Sequence, residues 1–312
     1  MPSDVIRATG YRRQPGFIAA EHLGLFAAQG LEIDYEVTTH APTHNAGMAV
    51  GRWDLTLSSA DTMIARVTRD GTDYVLFMNV ERGVDVKLVA SDSIGSVGEL
   101  RGKRLAGDPG DSNYDLHRRK IMRDHGLRDD DYEVEIVGAT PQRYEALVAG
   151  KVVAAMLTPP HWQRAVERGF RVLDEAARHV PSYPVSSGWT LRPWAEAHRD
   201  LLTPFIRAQA QGSDWVLDAA NRERALDLLA EEAELEGDEA ERALERVIPH
   251  AAIDPAGLAS VVELRAEMGL YDPPYDPVER FYDASYWAGA TGLPAPEPYG
   301  VPRIGMSGSP KV

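Results

Sequence analysis

Along this chain, short apolar runs alternate with segments whose apolar residues return every three or four positions. DVIRATG, residues 4–10, predicts a short strand. PGFIAAEHLGLFAAQG, residues 15–30, has helical spacing and stops at Gly30, predicting one helix with a glycine end. LEIDYEVTT (31–39) alternates apolar and polar and predicts a strand, NAGMAVGRW (45–53) a short helix, and DLTLSSA (54–60) another strand. DTMIARVTRDG (61–71) then predicts a helix and YVLFMNVE (74–81) a strand. This succession indicates parallel pairing through crossover helices, hence an α/β fold.

The pattern then repeats. VDVKLVASD (84–92) predicts a strand, and SVGELRGKRLAG (96–107) a short helix, a turn and a strand. A Gly/Asp/Pro turn leads to a helix opened by Ser112, within LAGDPGDSNYDLHRRKIMRDHGL (105–127). YEVEIVG (132–138), TPQRYEALVAG (140–150) and VVAAMLT (152–158) predict strand, helix and strand, and PPHWQRAVERG and FRVLDEA a further helix and strand. Residues 193–290 read as mostly helical, and the Pro/Gly/Ser-rich tail 294–312 as irregular. Two α/β units and a helical return imply two lobes, each with a mainly parallel sheet flanked by helices.

Composition narrows the function. Lys and Arg number 33 against 48 Asp and Glu, a net charge of −15, which argues against nucleic-acid and anionic-membrane partners. Much of the acid lies in 221–247, expected to be solvated helix faces. The chain has no cysteine, which removes disulfides, thiolate metal sites and a cysteine nucleophile. No apolar run approaches the ~20 residues of a membrane span. MPSDVIRATG runs from Met1 almost directly into a strand, without the parts of a secretory leader. The expectation is cytoplasmic for the chain as it stands, or periplasmic or cell-surface if a leader precedes it.

In open α/β sheets, ligands bind beyond the carboxyl ends of strands, where the next helices begin. That rule selects Tyr11 and Gln14; His40, Thr43, His44 and Asn45; Ser58, Ser59, Asp61 and Thr62. It also selects Asp108, Asp111, Ser112 and Asn113, then Thr140 and Gln142, then Pro159, Pro160 and His161.

Several of these stretches resemble a known family. PGFIAAEHLGLFAAQGLEIDYE, GRWDLTLSSADTMIA, VGELRGKRLAGDPGDS, ALVAGKVVAAMLTPP and RGFRVLDEA, in this order, look like type II periplasmic-binding-protein-like domains, in the branch of sulfonate, nitrate, taurine and thiamine-pyrimidine binders. SYPVSSGWTLRPWAEAHRDLLTPFIRA fits the segment returning to the first lobe. The resemblance covers roughly residues 4–290. It implies a first lobe of residues 1–90 and 191–312, a second of 91–190, and a small organic molecule held in the cleft between them. It implies a receptor feeding an ABC importer, with the permease as partner if the chain is exported. The alternative is a cytoplasmic lyase, decarboxylase or hydrolase on the same fold.

Each candidate has a bland reading beside a functional one. His40 and His44 are spaced i, i+4, but a metal site would need a third ligand and a helix through Pro42, so no metal is expected. An exposed loop histidine is the first reading, and a ligand contact or acid/base group the second. Ser58, Ser59 and Asp61 are N-capping residues or ligand contacts. Ser112 and Asp115 form S-x-x-D, with Ser112 capping and Asp115 reaching back. That leaves Asp108, Asp111, Asn113 and Tyr114 for a ligand. A cleft-facing Asp111 favours a cationic or hydrogen-bond-donating group, hence an amide, heterocycle or amphoteric molecule. His117 and Arg118 read as helix surface or lobe packing. Tyr11, Tyr114, Trp162, Tyr183 and Trp189 are the aromatics nearest the cleft, and Pro159 and His161 lie at another strand end. In the enzyme reading His40 or His44 moves protons and Asp61 or Asp111 orients or receives them. No nucleotide motif is present and no cofactor is expected. Monomer and dimer both stay open.

Overall fold

In the computed structural model, which describes residues 4–108, 112–302 and 304, strands and helices alternate from the start of the chain. The order is β1 (Asp4–Gly10), α1 (Pro15–His22), α2 (Leu25–Ala28), β2 (Leu31–Val37), α3 (Ala41–Ala49), β3 (Leu55–Ser58), α4 (Ala60–Asp70) and β4 (Tyr74–Glu81). The single helix expected over 15–30 is two, because Gly24 takes a left-handed φ of +66° that ends α1 and restarts the chain as α2. Helix α3 begins four residues before its expected start, at Ala41. Pro42 falls in its first turn, where a missing N–H costs nothing. Ser59 caps α4 by accepting the Asp61 N–H at 3.2 Å, and Gly71 ends it at φ +69°.

The chain divides into two units, the first comprising residues up to Arg82, Pro184–Val262 and Pro274–Pro302, the second Gly83–Tyr183 and Glu263–Pro273. The second unit holds β5 (Lys87–Ala90), β6 (Arg104–Gly107), α5 (Asn113–Asp124), β7 (Glu133–Ile136), α6 (Thr140–Val148), β8 (Ala154–Leu157), α7 (His161–Glu167), β9 (Arg171–Glu175) and α8 (Ala176–His179). Its sheet has the order β7-β6-β8-β5-β9. Only β5 runs against the others, pairing antiparallel with β8 and β9. The short helix expected at 96–100 is a 3-10 turn, Val97–Leu100.

The chain returns to the first unit through β10 (Ser186–Leu191), followed by α9 (Arg192–Ala197), α10 (Arg199–Leu217), α11 (Arg222–Ala233), α12 (Gly237–Glu245), α13 (Pro255–Glu267) and α14 (Ala284–Thr291). Strand β10 inserts antiparallel between β3 and β4, giving the order β2-β1-β3-β10-β4. Four strands of each sheet therefore run one way, and their carboxyl ends line one edge. In the first unit that edge holds Gly10, Ser58 and Glu81, with the start of β10 beside them. No helix among the described residues is long and apolar enough to cross a membrane.

The acid-rich stretch 221–247 forms amphipathic α11 and α12. Ala225, Leu228, Leu229, Ala240, Ala243 and Leu244 pack against Ile18, Ala19 and Val216, and the charges stay outside. Helix α10 lies so close to α1 that a Cβ at Gly212 would sit 2.1 Å from the Gly16 carbonyl oxygen. Gly289, in α14, has open space at the same test. Overpacking of this kind costs about 1–3 kcal/mol. Gly212→Ala should lower the thermal unfolding midpoint by several degrees while Gly289→Ala leaves it unchanged or slightly raised, as read by differential scanning calorimetry.

Candidate functional site

At the carboxyl edge of the first sheet, one amide ties three elements together. Gln14, the residue before α1, is 3% exposed and donates from Nε2 to the Leu57 carbonyl at 3.1 Å and to Ser186 Oγ at 2.9 Å. A carbonyl can only accept, so the amide nitrogen must face Leu57 and the amide oxygen must point away from it. That oxygen is buried and has no hydrogen-bond donor among the described residues. Ser186 pairs in register with Glu81, the last residue of β4. Glu81 is fully buried, with Oε2 on Arg12 at 2.5 Å and Oε1 without a donor among the described residues.

Close backbone approach makes this edge possible. A Cβ on Gly10 would lie 2.2 Å from Tyr35 Oη and 2.7 Å from the Leu57 oxygen. Tyr35 donates to the Arg12 carbonyl at 2.8 Å, which fixes the turn after β1. Burial pushes the Tyr35 phenol far above its usual range. Arg12, Glu81 and Ser186 were not among the candidates expected from sequence. Glu81 did leave a signal, as the only carboxylate in the run YVLFMNVE, whose residues are all buried.

The other first-unit candidates separate into distinct places. Ser58 is buried and accepts from Thr56 Oγ1 at 3.2 Å; Ser59 caps α4, and Asp61 is buried in its first turn. Tyr11 is 39% exposed, its ring 5.0 Å from that of His44. His40 is exposed at the N-cap position of α3, its Nδ1 2.9 Å from Thr43 Oγ1. The exposed-loop reading fails for His44, because α3 turns its ring inward. His44 is fully buried, with Nε2 2.9 Å from Thr56 Oγ1 and Nδ1 3.3 Å from Asn45 Oδ1. Burial holds its ring below the usual histidine range, against a smaller opposing effect of Asn45. The two imidazoles have different partners, and neither has a carboxylate hydrogen-bond partner among the described residues.

In the second unit the organiser is Arg143, which the strand-end rule did not select. It lies one turn after Thr140 on α6 and is 1% exposed. Its guanidinium donates to the carbonyls of Met156 (2.9 Å) and Gly138 (2.8 Å) and to Thr140 Oγ1 (2.9 Å). It stands 3.7 Å from Asp108 and 4.9 Å from the Tyr114 ring centroid. Thr158 adds a 3.3 Å bond to Thr140 Oγ1. Arg143 thus joins the ends of β6, β7 and β8 to the starts of α5 and α6, and brings together Asp108, Tyr114 and Thr140.

The remaining candidates flank this cluster or lie in the core. His161 opens α7 after Pro159 and Pro160. Its ring is 5.4 Å edge-on to Tyr144, and its buried Nδ1 has no hydrogen-bond partner among the described residues. Burial, then Arg164 and Arg143, hold it below the usual histidine range. Ser112 caps α5 by accepting the Asp115 N–H at 3.1 Å, and Asn113 is the first residue of that helix. Asp115 does not complete the expected capping box; its carboxylate turns to Arg118, which also donates to Tyr132 Oη at 2.7 Å. His117 and Arg118 are therefore buried packing, not helix surface. Tyr183 is fully buried with its ring 4.7 Å from His117. Asp111 lies outside the described residues.

With this geometry in place, the likeness to known proteins can be weighed. The family model described as NMT1/THI5-like matches residues 14–222. Among curated proteins none matches at a significant level. The alkanesulfonate-binding protein SsuA of Xanthomonas axonopodis pv. citri, bound to MOPS, superposes with a TM-score of 0.70 at 16% identity, over 88% of this chain and 96% of that one. The periplasmic nitrate-binding protein NrtA of Synechocystis PCC 6803 gives 0.67 at 13%, over 93% and 88%. The desulfurization enzyme DSZB gives 0.68 at 13%, over 92% and 98%. At these identities the likeness establishes the fold.

His117 supplies a test of the second unit. Its two ring nitrogens are buried without hydrogen-bond partners among the described residues, and burial, aided by His179, holds its pKa at about 4. The unfolded ring takes up its proton near the ordinary value of about 6.5. The contribution of neutral His117 is therefore fully present above about pH 6.5 and is lost as pH falls towards about 4, a change of about 3 kcal/mol. His117→Leu should flatten that part of the pH dependence of the urea midpoint, whereas an unchanged slope would place the loss elsewhere.

Proposed function

The chain belongs to the NMT1/THI5-like family and has the two-lobed type II periplasmic-binding-protein fold, and from that premise we propose that it is a solute-binding receptor of an ABC importer. Its ligand is a small organic molecule that presents hydrogen-bond donors, such as an amide, an amino-heterocycle or an amphoteric compound. The observation that carries this reading is the pair of buried acceptors, Glu81 Oε1 and Gln14 Oε1, left without donors among the described residues at one strand edge. Buried polar atoms are nearly always paired, so a donor from a bound molecule completes them. A sulfonate or nitrate, with acceptor oxygens only, would meet repulsion there.

Binding without bond-breaking is supported by the hydrogen-bond pattern of the histidines. A general base needs an orienting partner and access to the proton it moves. His44 is buried against Thr56, and His40 bonds the hydroxyl of Thr43. The permease partner follows from the receptor reading, and the relatives named as binding proteins support it.

Native mass spectrometry tests the reading, on purified protein incubated with pooled sulfonates, aromatic acids, amino-pyrimidines and amides. A donor-bearing pool member should bind and return unchanged after denaturation. Glu81→Gln and Gln14→Ala should each weaken it by roughly 10–100-fold, the usual cost of removing a hydrogen bond to a buried charged or polar group. Consumption of a pool member, abolished by His40→Ala, would identify an enzyme instead.

A further inference from the structure

Away from the strand edges, three side chains of the second unit converge on one point. His125 follows the last residue of α5, Asp174 lies in β9, and His179 ends α8. Nε2 of His125 is 2.6 Å and Nε2 of His179 is 3.0 Å from the same Asp174 oxygen, Oδ2. All three ligand atoms lie within 4.8 Å of one another. We propose that His125, Asp174 and His179 bind a divalent transition-metal ion of the zinc class. This proposal does not rest on the receptor reading.

Imidazole and carboxylate are the donors zinc takes, at about 2.0–2.2 Å, which sets tetrahedral ligand atoms roughly 3.3 Å apart. Nε2 of His125 and of His179 are already near that distance from Asp174 Oδ2, so the ion fits with side-chain shifts below about 1 Å. Partners outside the cluster hold the ligands in place. Asp124 Oδ2 is 2.7 Å from Nδ1 of His179, which turns Nε2 towards the cluster, the carboxylate–histidine arrangement that supports metal ligands. Lys120 in turn holds Asp124 at 2.9 Å. The Glu175 N–H binds Asp174 Oδ1 at 2.8 Å and leaves Oδ2 facing the imidazoles. His125 is 41% exposed, which provides an entry path and a fourth position for water. Arg178, 4.0 Å from Asp174 Oδ1 and 69% exposed, donates to Glu175 Oε1 at 2.9 Å.

The sequence hides this site. Its ligands are 49 and 5 residues apart, and only the packing of α8 on α5 unites them. The i, i+4 pair His40 and His44, which looks like a metal motif, divides between an exposed and a buried ring.

The test uses the full chain, stripped with chelator and dialysed. Zinc is titrated in competition with a chromophoric chelator, and cobalt(II) is added separately to read visible absorption. One equivalent of zinc should bind, with a cobalt band typical of low coordination number. His125→Gln, at an exposed position, should weaken zinc at least ~100-fold with unchanged circular dichroism, and Asp124→Asn should weaken it by about 10–100-fold. His250→Gln, a surface histidine paired with Asp214, should bind as the parent does. Failure of the parent protein to compete with the chelator, or equal binding by His125→Gln and His179→Gln, would overturn the proposal.

Discussion

The Gln14 amide is the constraint on which the first unit's edge depends. It leaves the turn after β1 and reaches β3 through the Leu57 carbonyl and β10 through Ser186. Strand β10 is the segment by which the chain returns from the second unit, so one side chain couples the start of the fold to its return. The same bond sets which atoms the edge leaves available. Spending the amide's donors on protein acceptors leaves its oxygen facing outward from that network, beside a glutamate whose second oxygen is also unmet. In the proposed receptor reading, a preference for donors is thus a by-product of how the strands are held.

The second unit solves the same problem with a charged side chain in place of a neutral amide. Arg143 gives its donors to two carbonyls and a threonine hydroxyl at the strand ends and keeps Asp108 within 3.7 Å. A buried guanidinium with these partners is costly to disturb, because each lost partner leaves a desolvated donor. It acts as a frame for Thr140, Tyr114 and Asp108. In both units, then, a long polar side chain from a helix start closes the strand ends and decides which neighbouring atoms stay available.

Much of this was legible in the residues. Period-two and period-three-to-four patterns located the strands and most helices, and the strand-end rule selected Gln14, Ser58, Thr140 and His161 from position alone. What escaped has physical causes. Glu81 ends an apolar strand and Arg143 sits inside a helix, so neither lies where a turn rule looks. Pro42 argues locally for a loop at His44, yet proline is tolerated in a first turn. The S-x-x-D spacing suggests a capping box for Asp115 but cannot show that Arg118, one turn on, competes for its carboxylate. The one antiparallel strand in each sheet, β5 and β10, is likewise invisible to local pattern, since its direction is set by where the chain crosses between units.

The most direct measurement is a crystal structure of the protein with the molecule that co-purifies with it. The account predicts ligand nitrogen or hydroxyl donors within hydrogen-bond distance of Glu81 Oε1 and Gln14 Oε1, with the Gln14–Leu57 and Gln14–Ser186 bonds intact. A ligand that turns only acceptor oxygens to this edge, or one that binds elsewhere while both oxygens find protein donors, would contradict it.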